Sequence, residues 1–139
     1  MSSPFSHLPA QLLAVDAPAV DGWEWDHPYV EDVWAAVIGP TCFALHRRLC
    51  RLAREAPDDG AWFDPLEQAA CIGVTRAPQA VHAFERLLRF GFVVVTRLPE
   101  VGVRTALPSV RRLDELPESA AEAHRGHVAR SLLSSTHPR

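Results

Sequence analysis

Apolar residues recur every three to four positions along two early stretches of the chain, which is the spacing of amphipathic helices. The first stretch begins at 26–28, where an acidic residue and a proline suit a helix start, and it is interrupted at Gly39. The second is predicted to run from Pro40 to Glu55. A PDDG turn follows, and residues 61–63 have the composition of a short strand.

The segment that follows predicts two helices joined by a turn, and then a two-stranded hairpin. Asp64 suits the N-cap of the first helix and Thr75 that of the second. Gly91 suits the left-handed position that ends the second helix. The β-branched run 92–97 and a return strand over 103–106 form the predicted hairpin, and the short strand before the two helices is expected to pair with it.

These elements divide the chain into four parts. Residues 1–25 are rich in proline and are expected to form an irregular acidic and aromatic arm, with at most one helical turn over 11–15. Residues 26–108 are expected to form the folded domain. Residues 109–133 are expected to be a helical segment suited to dimerisation, and 134–139 a frayed tail.

The run LLRFGFVVVTRLPEVGVRT resembles bacterial winged-helix transcription regulators, in which a leucine pair, a glycine and a valine strand lead from the recognition helix into the wing. Here those residues are Leu87, Leu88, Gly91, Phe92 and Val93. The resemblance is greatest to uncharacterised helix-turn-helix proteins of high-GC Gram-positive bacteria and their phages. It implies a mainly α fold with a small β wing, a winged helix-turn-helix, and a sequence-specific DNA-binding transcriptional regulator whose recognition helix spans 75–90.

Helical periodicity then divides that helix into two faces. The residues expected to point inward are Ala77, Val81, Phe84 and Leu88, with Leu87 at the edge. The residues expected to read base edges in the major groove are Arg76, Gln79, His82 and Arg86. Arg89, Arg97 and Arg104 are expected to hold the DNA backbone, and the alternative is that these arginines form a solvated face.

Charge is unevenly distributed along the chain. The formal net charge is −3, which argues against indiscriminate binding of nucleic acid. Residues 1–46 contain six acids and no Lys or Arg, whereas residues 76–112 contain seven arginines and two acids. The helix-plus-hairpin segment therefore carries a local charge of +5, as a DNA-binding face requires.

The acidic segment around Trp23, Trp25 and Trp34 supports a second interpretation. Aromatic side chains among acids suit an anchor for a protein partner, so the chain can also be a non-enzymatic adaptor that binds polymerase or a replication factor. Two further alternatives stay open for these tryptophans. They can cover the core of the domain, or they can line a ligand pocket.

Two other features of the sequence bear on metal binding and on assembly. Cys42, His46 and Cys50 recur every four residues, but the span of about 12 Å along one helix opposes binding of one zinc ion by all three; the alternative is that two of them meet Cys71. Buried thiols are therefore expected, with no metal and no cofactor.

The C-terminal helix suits a homodimer interface, with Leu116 and Ala120 at its start. A dimer would place two recognition helices on double-stranded DNA.

No motif of an enzyme active site occurs in the sequence, so no catalytic residue is expected. No apolar run approaches the length of a membrane span, and no secretory signal is recognisable at the N-terminus. The odd cysteine count favours reduced thiols. Together these features predict a cytoplasmic protein.

Overall fold

The computed structural model of the protein describes residues 3–17, 21–56 and 58–136. The strands in this described part are β1 (Leu12–Asp16), β2 (Trp23–Glu24), β3 (Ala61–Phe63), β4 (Val93–Arg97), β5 (Glu100–Val103) and β6 (Ala106–Leu107). The helices are α1 (Ala35–Ile38), α2 (Pro40–Glu55), α3 (Pro65–Cys71), α4 (Ala77–Arg89) and α5 (Glu118–Thr136). A π-helical turn, Val30–Trp34, leads into α1, and a 3₁₀ turn, Leu113–Glu115, precedes α5.

The prediction of a mainly α, winged helix-turn-helix fold is wrong, because the sheet is larger than a wing and is connected differently. Its four strands lie in the order β3-β1-β5-β4. β1 is antiparallel to β3 and parallel to β5, so it separates β3 from the hairpin that the sequence assigns as its partner. A two-stranded sheet of β2 and β6 lies beside it. The chain has a mixed α/β fold.

β1 also corrects the prediction that residues 1–25 form an irregular arm. Leu12 and Ala14 are fully buried on the inner face of the sheet, and Leu13 and Val15 lie on its outer face. All four residues are apolar, so the alternation that usually reveals a strand is absent from the sequence. The helical turn considered for 11–15 is not formed, because the segment is held on both sides by neighbouring strands.

The hairpin is tighter than predicted. The turn occupies Leu98 and Pro99, and β5 already begins at Glu100, before the predicted return strand 103–106. Val101 and Val103 are buried on the inner face, with Gly102 between them on the outer face. β5 begins earlier than predicted because its residues pair with both β1 and β4.

The core lies between the inner face of the sheet and the helices α2 and α4. Leu45 and Leu49 of α2 and Phe84 of α4 are fully buried there. The ring of Phe84 packs against Phe5 and Phe63, with centroids 5.5 and 6.4 Å apart. Apolar side chains from the N-terminal segment and from β3 thus fix α4 on the sheet.

Several predicted helix boundaries are confirmed. α2 spans the predicted residues, and Gly39 at its N-cap has φ +87°, a left-handed backbone that favours glycine. The Asp64 side chain accepts hydrogen bonds from the backbone N–H groups of Leu66 and Glu67, as a capping residue should. Thr75 does not cap α4, because the chain enters that helix one residue later, at Arg76, which makes no side-chain cap.

α5 packs against the π-helical turn rather than standing apart from the domain. The OH of Tyr29 and Nδ1 of His124 lie 2.7 Å apart, and His127 Nε2 lies 2.8 Å from an Asp32 carboxylate oxygen. The helix continues to Thr136, so the predicted frayed tail 134–139 is helical in its first half; the rest of that tail lies outside the described residues.

Candidate nucleic-acid interface

α3, the turn after it and α4 form a helix–turn–helix pair on the edge of the core. Gly73 has φ +89°, the left-handed conformation that the tight turn between the two helices requires. The Val74 N–H donates back to the Ala69 carbonyl at 2.9 Å, which closes the turn. Ala69 is buried and Ala70 exposed, so α3 packs one face on the protein and leaves the other in solvent.

The buried face of α4 is rotated from the predicted one. Its buried residues are Ala80, Ala83, Phe84 and Leu87, whereas Ala77 is exposed and Val81 and Leu88 are only half-buried. At 100° per residue this is a rotation of about 80°. The rotation follows from contact with α2, whose Cys42 Sγ lies 3.8 Å from the Ala83 carbonyl oxygen.

Four of the five predicted DNA-contacting residues of this helix region remain exposed after the rotation. They are Arg76, Gln79, His82 and Arg89. Glu85 is half-buried among them and places a negative charge on the same surface. The exposed side of α4 is therefore polar and moderately basic. The four exposed residues are called the α4 face below.

Arg86, the fifth, is engaged within the protein. Its Nε donates to the Ile38 carbonyl and its Nη2 to the Val37 carbonyl, each at 3.0 Å. The guanidinium also lies over the Phe90 ring, 5.0 Å from the centroid. Arg86 thereby satisfies carbonyls at the end of α1 that the helix itself leaves unpaired. One edge of its guanidinium is consequently not available to a base.

The two hairpin arginines lie in different surroundings. Arg97 is exposed at the end of β4, opposite Glu100 in the strand register. Arg104 is two residues after Gly102, so its side chain lies on the same outer face of the sheet. It is half-buried, and its Nε atom has no hydrogen-bond partner among the residues that the structure describes. Because α4 packs on the inner face through Phe84, Arg104 and the α4 face lie on opposite sides of the sheet. The structure does not bring these predicted backbone contacts together.

The three tryptophans of the acidic segment are partly buried and bonded within the chain. Trp23 stacks on Tyr29 at 4.4 Å, and its indole N–H donates to the Ser109 hydroxyl. The indole N–H of Trp34 donates to the Pro108 carbonyl, and the guanidinium of Arg47 lies over Trp25. Of the interpretations left open for this segment, covering the core matches these contacts.

His46 and Cys50 form a pair that has the composition of a nucleophilic dyad but not its environment. Cys50 Sγ lies 3.3 Å from His46 Nε2, and both residues are fully buried. Burial raises the pKa of the Cys50 thiol, with the Asp16 carboxylate adding to the effect, and lowers the pKa of His46 to about 4. A neutral thiol beside a neutral imidazole, closed to solvent, is unreactive.

Among the residues that the structure describes, no three His, Cys, Asp or Glu side chains are grouped to hold a metal ion. Within the same residues, no helix has both the length and the hydropathy to span a membrane. Comparison of the chain with protein-family models, curated proteins and solved structures finds no match.

A groove beside the α4 face could not be predicted from the sequence. The first turn of α2, with Gly39, Pro40 and Thr41, borders a groove together with Gln79 and His82. Periodicity identifies which residues share a helix face, but it does not identify which distant helix packs alongside. This juxtaposition is therefore found only in the folded chain.

Proposed function

We propose that the protein is a sequence-specific binder of double-stranded DNA that regulates transcription, and that it contacts DNA through the helix pair α3–α4. The observation that carries the proposal is the exposure of Gln79, His82 and Arg89 along the second helix of that pair, with Arg76 exposed at its N-cap. The proposal does not need a wing, because it assigns the base contacts to α4 alone.

The chemistry of the α4 face suits the major groove. Arginine donates two hydrogen bonds to guanine, and glutamine pairs with the edge of adenine. Arg76 stands at the start of α4, the end at which recognition helices usually meet the bases. Arg89 stands in the last turn, where it suits a phosphate contact.

The core supports such a role by holding the helix rigidly. Ala80, Ala83 and Leu87 are buried along the opposite side of α4. Arg86 ties the same helix to the end of α1. A helix fixed in this way presents its exposed side chains without having to order on binding.

The test is selection of binding sites from a random double-stranded library, followed by fluorescence anisotropy on the selected site across a salt titration. We expect one enriched motif, and a double variant Arg76→Ala/Arg89→Ala that binds it at least about tenfold more weakly, with a salt slope smaller by about one because Arg89 is the phosphate contact of the pair. The control, Arg51→Ala/Arg130→Ala, removes the same charge from exposed positions on α2 and α5. It should change affinity far less.

Gln79→Ala separates base reading from charge. It should alter the preferred base at one position, at a cost of about 1–3 kcal/mol on the selected site, and leave the salt slope unchanged. A palindromic motif would indicate the homodimer that the sequence predicts. Absence of an enriched motif and of binding at low salt would refute the proposal and favour the adaptor interpretation. Equal losses of DNA affinity in the test and control variants would show that the protein binds DNA without using the α4 face in particular.

A further inference from the structure

The groove between α4 and the first turn of α2 has the size and lining of a ligand pocket. Its volume is about 520 Å³, within the roughly 300–1,000 Å³ typical of small-molecule sites. Its walls are mostly apolar, with Ile38, Pro40, Val74, Pro78 and Ala83 among them. Polar groups enter from Thr41, Gln79, His82 and Arg86. Apolar walls with a few convergent polar groups are the usual composition of such a site.

Arg86 gives this groove a positive charge. Arg86 is half-buried, and its guanidinium contacts two carbonyls and an aromatic ring. In the part of the chain that the structure describes, no carboxylate forms an ion pair with it. Glu85 is near Arg86 on α4 but forms no ion pair with it among the described residues. A partly desolvated cation that is not ion-paired favours an anion more strongly than a surface arginine does.

We propose that the groove binds a small organic carboxylate, with its charged end at Arg86 and its aromatic or aliphatic body on the apolar walls. Inorganic phosphate or a DNA phosphate would meet the same arginine but would leave the apolar walls uncovered. No side chain of the described residues caps the first turn of α2, so the free backbone N–H groups of this turn add positive polarity that favours an anion. The site itself is inferred from the groove and from Arg86.

Occupancy of the groove also bears on regulation, and this part rests on the proposed function. Gln79 and His82 line the groove and also belong to the α4 face. A bound carboxylate would cover them, so it should compete with DNA. The groove would then make DNA binding responsive to a metabolite acid.

The test is a titration of the full chain, without DNA, with 2-naphthoate, 2-naphthamide and inorganic phosphate, followed by ¹H–¹⁵N NMR. We expect 2-naphthoate to shift amides of α4 and the first turn of α2 with a dissociation constant of about 1 mM or below. The neutral amide of the same shape should bind at least about tenfold more weakly, because it lacks the charge. Phosphate should bind more weakly still.

Two variants and a control locate the site. Arg86→Gln should weaken naphthoate binding about tenfold, and Gln79→Glu, an exposed change that adds a repelling carboxylate, about fivefold. The control Arg51→Gln removes a charge from an exposed position on α2 and should leave naphthoate affinity unchanged. If Arg86→Gln unfolds the protein, Gln79→Glu still tests whether naphthoate binds in the groove.

Equal binding of acid and amide, phosphate binding as tight as naphthoate, shifts elsewhere in the protein, or no shift at about 10 mM naphthoate would each overturn the site. The regulatory part is tested separately, by adding naphthoate to the DNA complex and measuring anisotropy. Failure to bind DNA would refute the proposed function and the competition, while the titration alone would still decide the groove.

Discussion

The position of β1 at the centre of the sheet can be tested by comparing Leu12→Ala with Leu13→Ala. Leu12 is fully buried on the inner face beside Phe63, and its neighbour Leu13 lies half-buried on the outer face beside Trp62. The two changes delete the same atoms from adjacent residues of one strand. Only their burial differs, so the comparison measures the packing of the strand.

The expected cost of Leu12→Ala is about 3 kcal/mol in the free energy of unfolding. Transfer of the side chain contributes about 2 kcal/mol and the cavity left behind adds about 1 kcal/mol or more. Leu13→Ala should cost about 1 kcal/mol or less, because much of its side chain already meets water. For a chain of this size the Leu12 change should lower Tm by about 10 °C.

Urea denaturation, followed by tryptophan fluorescence and circular dichroism, measures both costs. The slope of the free energy against urea should be the same in the two variants, so that the midpoints report stability alone. Equal and small costs at Leu12 and Leu13 would refute the topology. The N-terminal segment would then be a loose arm, as the sequence predicts, and the sheet would have to pair without it.

Three further outcomes are expected. Asp64→Ala should lower the free energy of unfolding by about 1 kcal/mol, measured in urea, because two backbone N–H groups of α3 lose their acceptor. Burial lowers the pKa of His46 to about 4, so its contribution to stability is present above the unfolded pKa of about 6.5 and is lost as pH falls towards 4. The wild type should therefore lose up to about 3 kcal/mol more than His46→Gln between about pH 7 and pH 4, and parallel urea midpoints would contradict this. With a thiol reagent, the exposed Cys71 should react at once in the folded protein and the buried Cys42 and Cys50 only on unfolding; rapid reaction of all three would show that the core opens readily.

The bounds of α2 and the start of α3 could be predicted from the sequence because they are set by local signals. Asp64 caps its own helix, and Gly39 and Gly91 each adopt a left-handed φ at a helix end. Such signals act within a few residues and do not depend on the rest of the fold. The bounds of α2 are correct for this reason.

The sheet could not be predicted in the same way, because its pairing is non-local. β1 bonds to residues far along the chain, with Leu13 beside both Trp62 and Glu100. Neither the apolar run nor the prolines around it indicate these partners. A resemblance based on 87–105 extends to the hairpin but carries no information about a strand that enters from the N-terminus.

The charge of the candidate DNA interface is also read locally from the sequence, whereas the number of arginines that can reach DNA depends on the fold. That number sets the expected salt dependence of DNA binding. The charge count of +5 over 76–112 treats every arginine as equally available for DNA. In the folded chain Arg86 is bonded to α1, Arg104 lies on the far side of the sheet, and Arg112 pairs with Asp114 and Glu115.

Of the predicted contacts, Arg76, Arg89 and Arg97 remain as exposed arginines. With Arg76 assigned to a base, Arg89 and Arg97 are the two phosphate contacts, which correspond to a slope of about −2 in log affinity against log salt for one copy of the chain. Use of all seven arginines of that segment would give a slope of about −6 instead. Anisotropy on the selected site, with the number of bound copies fixed by titration, distinguishes the two values. A slope near −6 per copy would mean that Arg86 and Arg104 leave their places in the fold when DNA binds.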